Sequence, residues 1–243
     1  MIGSPASRIE AVLFDWGDTL FFSPRGETVL LEAAHEVGVR LESATASAIW
    51  AEIWAAGKTP TEHAKGRDLS ADAHRSVWTS LFAAADEVVP GASAILYDRV
   101  MHPGGWLPYP DARPALVALR QRRLALGLVS NVGLDLRPVL RHHDMLGLFD
   151  TLALSYEHGA AKPAPSLFVA ACEGLGVPRR NVRMVGDDPH TDGGAAAAGL
   201  QVHILRPLDR APGNGRGLDE VVALVDRSRR APGADSPDAA ARE

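Results

Sequence analysis

The sequence predicts an α/β protein, a doubly wound parallel sheet interrupted by an all-helical insertion. Three observations carry this expectation. Strand-like apolar runs recur at 11–15, 124–130, 151–155, 182–186 and 201–205. Most are followed by loop residues and then by apolar residues at helical spacing, the alternation that builds a parallel sheet with helices on both faces. Between residues 24 and 107 no strand pattern appears, and the apolar residues keep a helical period. The predicted organisation is therefore a core of 8–23 with 108–228, an inserted helical bundle at 24–107, and a tail at 229–243.

Taken in order, the first run ends Val12-Leu13-Phe14 and stops at Asp15. Aspartate is almost never fully buried without a partner, so an acid at the end of a buried strand is poorly explained by packing and reads as the reactive group. In the insertion the apolar sets Leu30, Ala33, Ala34, Val37; Ile49, Trp50, Ile53, Trp54; Trp78, Leu81, Phe82, Ala85; and Ile95, Leu96, Val100 fall at helical spacing. The aromatic stripe Trp50, Trp54, Trp78 and Phe82 reads as the seam of that bundle rather than as a ligand cage. Helices are then predicted at 111–121, 135–142, 164–174, 192–199 and 217–228. The glycine-rich stretch 213–217 follows Ala211-Pro212 instead of a strand and reads as a linker. From 229 onward no apolar residue larger than alanine or proline occurs, which predicts disorder.

Composition narrows the class. With 243 residues, 46% hydrophobic and 23% charged, the chain can bury one large core or a core plus a smaller module. No apolar run is long enough to span a bilayer and no signal peptide opens the chain, so a cytoplasmic protein without membrane attachment is expected. The single cysteine, Cys172, lies among apolar helix positions and reads as an inert buried thiol. A formal charge of −5 argues against nucleic acid and requires that any anion site be locally positive. Lysine is rare, occurring at Lys58, Lys65 and Lys162. The nine histidines show no zinc spacing. Nothing in the sequence speaks to oligomeric state.

Three further polar groups stand at later strand ends, where open α/β sheets bind ligands. Ser130 and Asn131 close the second strand and can donate to an oxyanion. Lys162 follows the third strand, just before a proline and a helix. Gly186-Asp187-Asp188-Pro189-His190-Thr191-Asp192 follows the fourth, and clustered acids repel one another unless a hard cation such as Mg²⁺ sits among them.

This ordered set resembles the haloacid dehalogenase-like (HAD) hydrolase superfamily, with its Asp-x-Asp-Gly-Thr loop, its Ser/Thr, its Lys and its Gly-Asp-x-x-x-x-Asp loop, over residues 10–205. The resemblance implies a Rossmann-type core, an Asp15 nucleophile that forms an aspartyl-phosphate, and hydrolysis of a small phosphorylated metabolite. It further implies Mg²⁺ held by Asp15, the Gly17 carbonyl and Asp187, with Asp188 or Asp192 in support. Ser130 would hold a phosphoryl oxygen, Lys162 would neutralise Asp15 and the transferring group, and Thr19 and Asn131 are candidate substrate contacts. The helical insertion matches the family's cap, with Arg25, Arg67, Lys58 and Lys65 as candidate anion contacts.

One departure matters. The family's phosphatases carry an acid two residues after the nucleophile as general acid and base; here Gly17 stands there and the acid is Asp18. A shift of one residue in extended chain turns the side chain to the other side, so Asp18 can substitute only if the loop is reshaped, as Gly17 would permit. Asp188 or His190 could also rescue proton transfer. Four readings follow: a phosphatase; a catalytically weak or inactive binding protein; a phosphonoacetaldehyde hydrolase-like enzyme, suggested by the Asp-Trp pair followed by a small residue and needing a Schiff-base lysine at 58 or 65; and a 2-haloacid dehalogenase-like enzyme, which the acids at 187, 188 and 192 oppose.

Overall fold

Ala11–Phe14 (β1) consists of four consecutive apolar residues and has no side suited to water; all four are buried. It is the central strand of the computed structural model, which describes residues 8–23, 26–207 and 214–230. After β1 come β2 (Phe21–Phe22), then α1 (Gly26–Glu36), α2 (Ser43–Gly57), α3 (Pro60–Ala64), α4 (Ala71–Phe82) and α5 (Ala92–Val100). The chain returns through β3 (Leu107–Pro108) to α6 (Ala112–Gln121), β4 (Ala125–Ser130), α7 (Arg137–His142), β5 (Thr151–Leu154) and the single turn α8 (Ser155–His158). It ends with α9 (Pro165–Leu175), β6 (Val182–Gly186), β7 (Gln201–Ile204) and α10 (Asp219–Arg230).

The five long strands form one parallel sheet in the order β5-β4-β1-β6-β7. Alternation along β1 divides the core. Val12 and Phe14 pack with α6, α7 and α10 on one face, while Ala11 and Leu13 pack with α9 on the other. This is the doubly wound α/β fold the sequence predicts. The chain first winds outward through β4 and β5, then crosses to the other side of β1 for β6 and β7. Phe14 pairs with Leu128 of β4 and with Val185 of β6, so the residue after it emerges at the switch point, where such sheets open a crevice.

The helical insertion has a core of its own, in which Leu30, Ile53, Trp78, Phe82 and Leu96 meet. It touches the sheet domain at a tight seam. Ser155 Oγ donates to Asp68 O and accepts from Val132 N at 2.8 Å, and a Cβ on Gly133 would fall 2.2 Å from Arg67 O, so only glycine fits there. Among the described residues no helix is long and apolar enough to cross a membrane.

Several local expectations are corrected. The helix expected at 192–199 is a 3-10 turn, Gly193–Ala198. Its Gly-Gly start favours helix poorly, and Gly194 passes so close to Pro163 that a Cβ would sit 2.5 Å from its side chain. The roots of the insertion pair as a two-stranded antiparallel ladder, Phe21 with Pro108 and Phe22 with Leu107, too short to leave a sequence pattern. The last helix runs to Arg230, two residues into the predicted tail, and the rest of that tail lies outside the described residues. Cys172 is buried as expected, and burial pushes its thiol up to about 11.

Candidate active site

The loop after β1 is shaped by backbone bonds and by one aromatic anchor. Asp15 N still donates to Val185 O at 2.9 Å, which holds the residue in the ladder beside β6. Leu20 N and Phe21 N then both donate to Trp16 O at 3.0 Å, and Asp18 N donates to Phe21 O at 2.8 Å, folding residues 16–21 into a closed loop. Trp16 stacks on Phe21 with ring centroids 3.9 Å apart and fixes the loop to the core. The reshaping expected at Gly17 occurs one residue later: Asp18 itself takes the left-handed conformation, φ 52°, which aspartate tolerates better than most residues. A Cβ on Gly17 would meet nothing within 4 Å.

Asp15, Lys162 and Asp192 form a buried chain of charge. Lys162 Nζ lies 2.5 Å from Asp15 Oδ1 and 2.6 Å from Asp192 Oδ1. The side chains of Lys162 and Asp192 are 3% and 0% exposed, whereas Asp15 keeps 13%, so the carboxylate of Asp15 is the one open to a reactant. Asp192 Oδ2 accepts from Asp188 N at 3.0 Å. A Cβ on Gly186 would fall 2.0 Å from that same oxygen, so the glycine is what lets Asp192 turn in under the strand.

Asp15, Asp187 and Asp192 each bring an oxygen within 4.8 Å of one another. Three carboxylates against one ammonium leave negative charge in a place shielded from water. Burial accordingly pushes the Asp15 carboxyl up to about 7, with Asp192 and Asp187 adding to the rise and Lys162 opposing it. Burial also raises Asp187, helped by the charges of Asp18 and Asp192. A set of hard oxygens short of positive charge fits a divalent cation such as Mg²⁺.

Other predicted residues have different tasks. Asp188 is exposed and its carboxylate accepts from His190 N at 2.7 Å and Thr191 N at 3.2 Å, capping its own turn; it is not among the converging carboxylates, and His190 is exposed as well. Thr19, expected to contact substrate, is fully buried and donates to Asp187 Oδ1 at 3.3 Å. Asn131, also expected at the substrate, clamps the loop of Lys162: its Nδ2 donates to Lys162 O at 2.9 Å and its Oδ1 accepts from Lys162 N at 2.6 Å. Thr19 and Asn131 thus position other residues of the site. Ser130 is buried at the end of β4, beside β1.

Beside the loop lies a cavity of about 450 Å³ lined by Gly17 and Asp18, by Trp50, Trp54 and Lys58 of the insertion, and by Trp106, which packs against Trp16. The aromatic stripe therefore divides: Trp78 and Phe82 are buried in the bundle, while Trp50 and Trp54 are half-buried and line the cavity. Of the candidate anion contacts, Lys58 reaches this cavity, Lys65 pairs with Glu62 at 2.6 Å on the surface, Arg67 lies buried over Trp78, and Arg25 is outside the described residues.

One residue escaped the sequence reading. Arg216, in the stretch read as a linker, is buried, and its Nε donates to Asp18 O at 2.6 Å. Asp111 fixes the approach by accepting from the amides of Arg216, Gly217 and Leu218 at 2.8–2.9 Å. A lone arginine among glycines, just before a helix, was the available signal.

Comparison with known proteins agrees with this fold. The crystal structure of a HAD phosphatase from Thermococcus onnurineus covers 89% of this chain and 98% of its own at TM-score 0.59 and 25% identity. The HAD-hydrolase YfnB from Bacillus subtilis, bound to magnesium, has the same fold, with TM-score 0.66 and 20% identity over 90% of this chain and 100% of its own. Among curated proteins, the phosphoserine phosphatase of Thermus thermophilus is 38% identical over 112 residues, 42% of this chain and 43% of that protein. A phosphatase of Mycobacterium tuberculosis is 34% identical over 121 residues, 49% of this chain and 56% of that protein, so the chain spans about half the length of the curated relatives it matches. The model of the haloacid dehalogenase-like hydrolases matches residues 9–199, and the chain belongs to that family.

Proposed function

We propose that the protein is a Mg²⁺-dependent phosphohydrolase in which Asp15 attacks a phosphate monoester. The observation that carries this reading is the Asp15–Lys162–Asp192 chain at the switch point, with Asp187 beside it. A dianionic phosphate cannot approach a carboxylate unless local positive charge offsets the repulsion, and Lys162 supplies part of it. Asp15 and Asp187, with the Gly17 carbonyl and Asp192 in support, would hold Mg²⁺, which when bound supplies the remaining charge. Names of relatives point the same way, since they include a phosphoserine phosphatase and a glyceraldehyde 3-phosphate phosphatase.

In the first half-reaction an Asp15 oxygen bonds to phosphorus as the ester P–O bond breaks, and the leaving alcohol takes a proton from Asp18. Ser130 donates to a phosphoryl oxygen. In the second, water attacks the aspartyl-phosphate, Asp18 takes its proton, and Asp15 is released. Asp18 suits this task because it borders the cavity and its backbone is held by Phe21 and Arg216. The helical insertion acts as the cap that screens this chemistry from water.

The test is phosphate release from para-nitrophenyl phosphate with and without Mg²⁺. Turnover that needs the metal and vanishes in Asp15→Asn supports the proposal. No release by the wild type, with release by Gly17→Asp, would instead identify a binding protein that has lost its proton-transfer group. Because some relatives and neighbours are named dehalogenases, halide release from a 2-haloacid without metal is the outcome that would overturn it in favour of attack on carbon.

A further inference from the structure

Three of the five tryptophans of the chain, Trp50, Trp54 and Trp106, line one cavity, and that cavity borders the loop of the nucleophile at Gly17 and Asp18. Its volume, about 450 Å³, lies in the range of small-molecule sites. Trp50 and Trp54 are one turn apart on α2, so they share a helix face; their rings are inclined by 22° with centroids 6.1 Å apart.

Both rings are supported from behind. Trp50 lies so close over Gly26 that a Cβ there would fall 1.6 Å from its Cε2, and its ring stacks with Phe82 at 5.9 Å. Trp54 rests on Trp78 at 5.5 Å, and Trp78 is itself covered by the Arg67 guanidinium, 4.9 Å from its ring. Trp78 is buried in the bundle, whereas Trp50 and Trp54 pack against the same core and keep part of their surface at the cavity. Partly exposed, held in place and lining a cavity, with the Lys58 ammonium 5.9 Å from the Trp54 ring, the two indoles offer a preorganised apolar surface for stacking. Charge at the cavity is sparse, with Asp18 and Lys58 the charged residues among the described residues that line it.

Resting on the phosphohydrolase reading, we propose that Trp50 and Trp54 select substrates by stacking, and that the preferred substrates are phosphate monoesters whose alcohol carries a planar aromatic group. A small polar alcohol would leave the indoles in contact with water, whereas an aromatic ring would remove both surfaces from it.

The experiment compares kcat/KM for benzyl phosphate and ethyl phosphate with Mg²⁺ present. Both leave unactivated primary alcohols, so recognition and not leaving-group acidity sets the ratio. A benzyl preference of about 10- to 100-fold is expected, falling at least tenfold in Trp54→Leu, which keeps apolar bulk against Trp78 but removes the stacking face. A ratio near one in the wild type, or a ratio unchanged in both Trp54→Leu and Trp50→Leu, overturns the proposal. The second readout needs no turnover: in Asp15→Asn, benzyl phosphate should quench tryptophan fluorescence at concentrations where ethyl phosphate does not. If no phosphate ester is hydrolysed the phosphohydrolase reading fails, and the quenching then decides the platform alone, its absence overturning it.

Discussion

The two walls of the cleft are built on opposite terms. On the sheet side, Asp15, Asp187, Asp192 and Lys162 place charge where water is largely excluded, and every side-chain position is fixed by a strand end or a short loop tied to one. On the helical side, Trp50 and Trp54 place apolar surface where water can reach. Each wall is unfavourable by itself, because buried like charges repel and exposed indoles order water. A ligand with an anionic end and a flat apolar end relieves both. The comparison teaches that the buried charge and the water-accessible apolar surface of the cleft come from separate regions of this chain, and it can be broken by substitutions that move one without the other.

The largest effect is expected on the sheet side. Asp15→Asn should lower turnover of para-nitrophenyl phosphate by about 10⁴-fold or more, because an amide cannot form the proposed aspartyl-phosphate. Activity remaining within tenfold would dissolve the comparison. Asp18→Asn should lower kcat by about 10²- to 10⁴-fold on unactivated esters and by much less on para-nitrophenyl phosphate, whose leaving group needs little protonation. Equal losses on both substrates would remove Asp18 from proton transfer.

Lys162→Met removes the ammonium that bridges Asp15 and Asp192. It should cost about 10²- to 10³-fold in kcat and, by leaving buried carboxylates unpaired, about 3–5 kcal/mol of stability in urea unfolding.

A subtler sign distinguishes the walls by pH. The folded pKa of Asp15, about 7, lies above its ordinary value of 3.8, so between those limits the native state binds more protons than the unfolded state. The contribution of Asp15 to stability is therefore fully present below pH 3.8 and is lost as pH rises through about 7. In metal-free buffer Tm should fall more steeply over this window in wild type than in Asp15→Asn, and Mg²⁺ should restore most at pH 7 and above. Identical slopes would mean that the site carries its charge without strain. The smallest expected effect is that of Asn131→Leu, which breaks the clamp on Lys162 without touching charge: about 1–3 kcal/mol of stability and roughly tenfold in kcat, with KM little changed.

The legibility of the two walls differs for a physical reason. Strands advertise their ends, because an apolar run must stop where a polar residue enters, and so Asp15, Ser130, Lys162 and Asp187 could be placed along one sheet edge from sequence. What their side chains touch could not. Thr19 and Asn131 have polar atoms equally suited to a ligand or to a neighbour, and only the folded loop shows that neighbours take them. Asp188 and Asp192 are both acids four residues apart, yet the turn exposes one and buries the other. On the helical side a periodic stripe marks which residues face inward but not where the bundle ends and the cleft begins, so Trp50 and Trp54 looked like Trp78 and Phe82. Arg216 stood out only as a lone arginine among glycines, and its partner was illegible because the Asp18 carbonyl is a backbone group distant in sequence.

That last bond has a consequence for how the protein is made. Asp18 and Arg216 are separated by 198 residues, which at synthesis rates of about 5–20 residues per second is roughly 10–40 s of translation. The loop that carries the reactive acid leaves the ribosome early, and the residue that holds its backbone arrives late. Until then the helical insertion can gather its own core, but β1 waits for β4 and β6 and the Asp18 carbonyl waits for Arg216, so the loop after β1 is completed only near the end of synthesis.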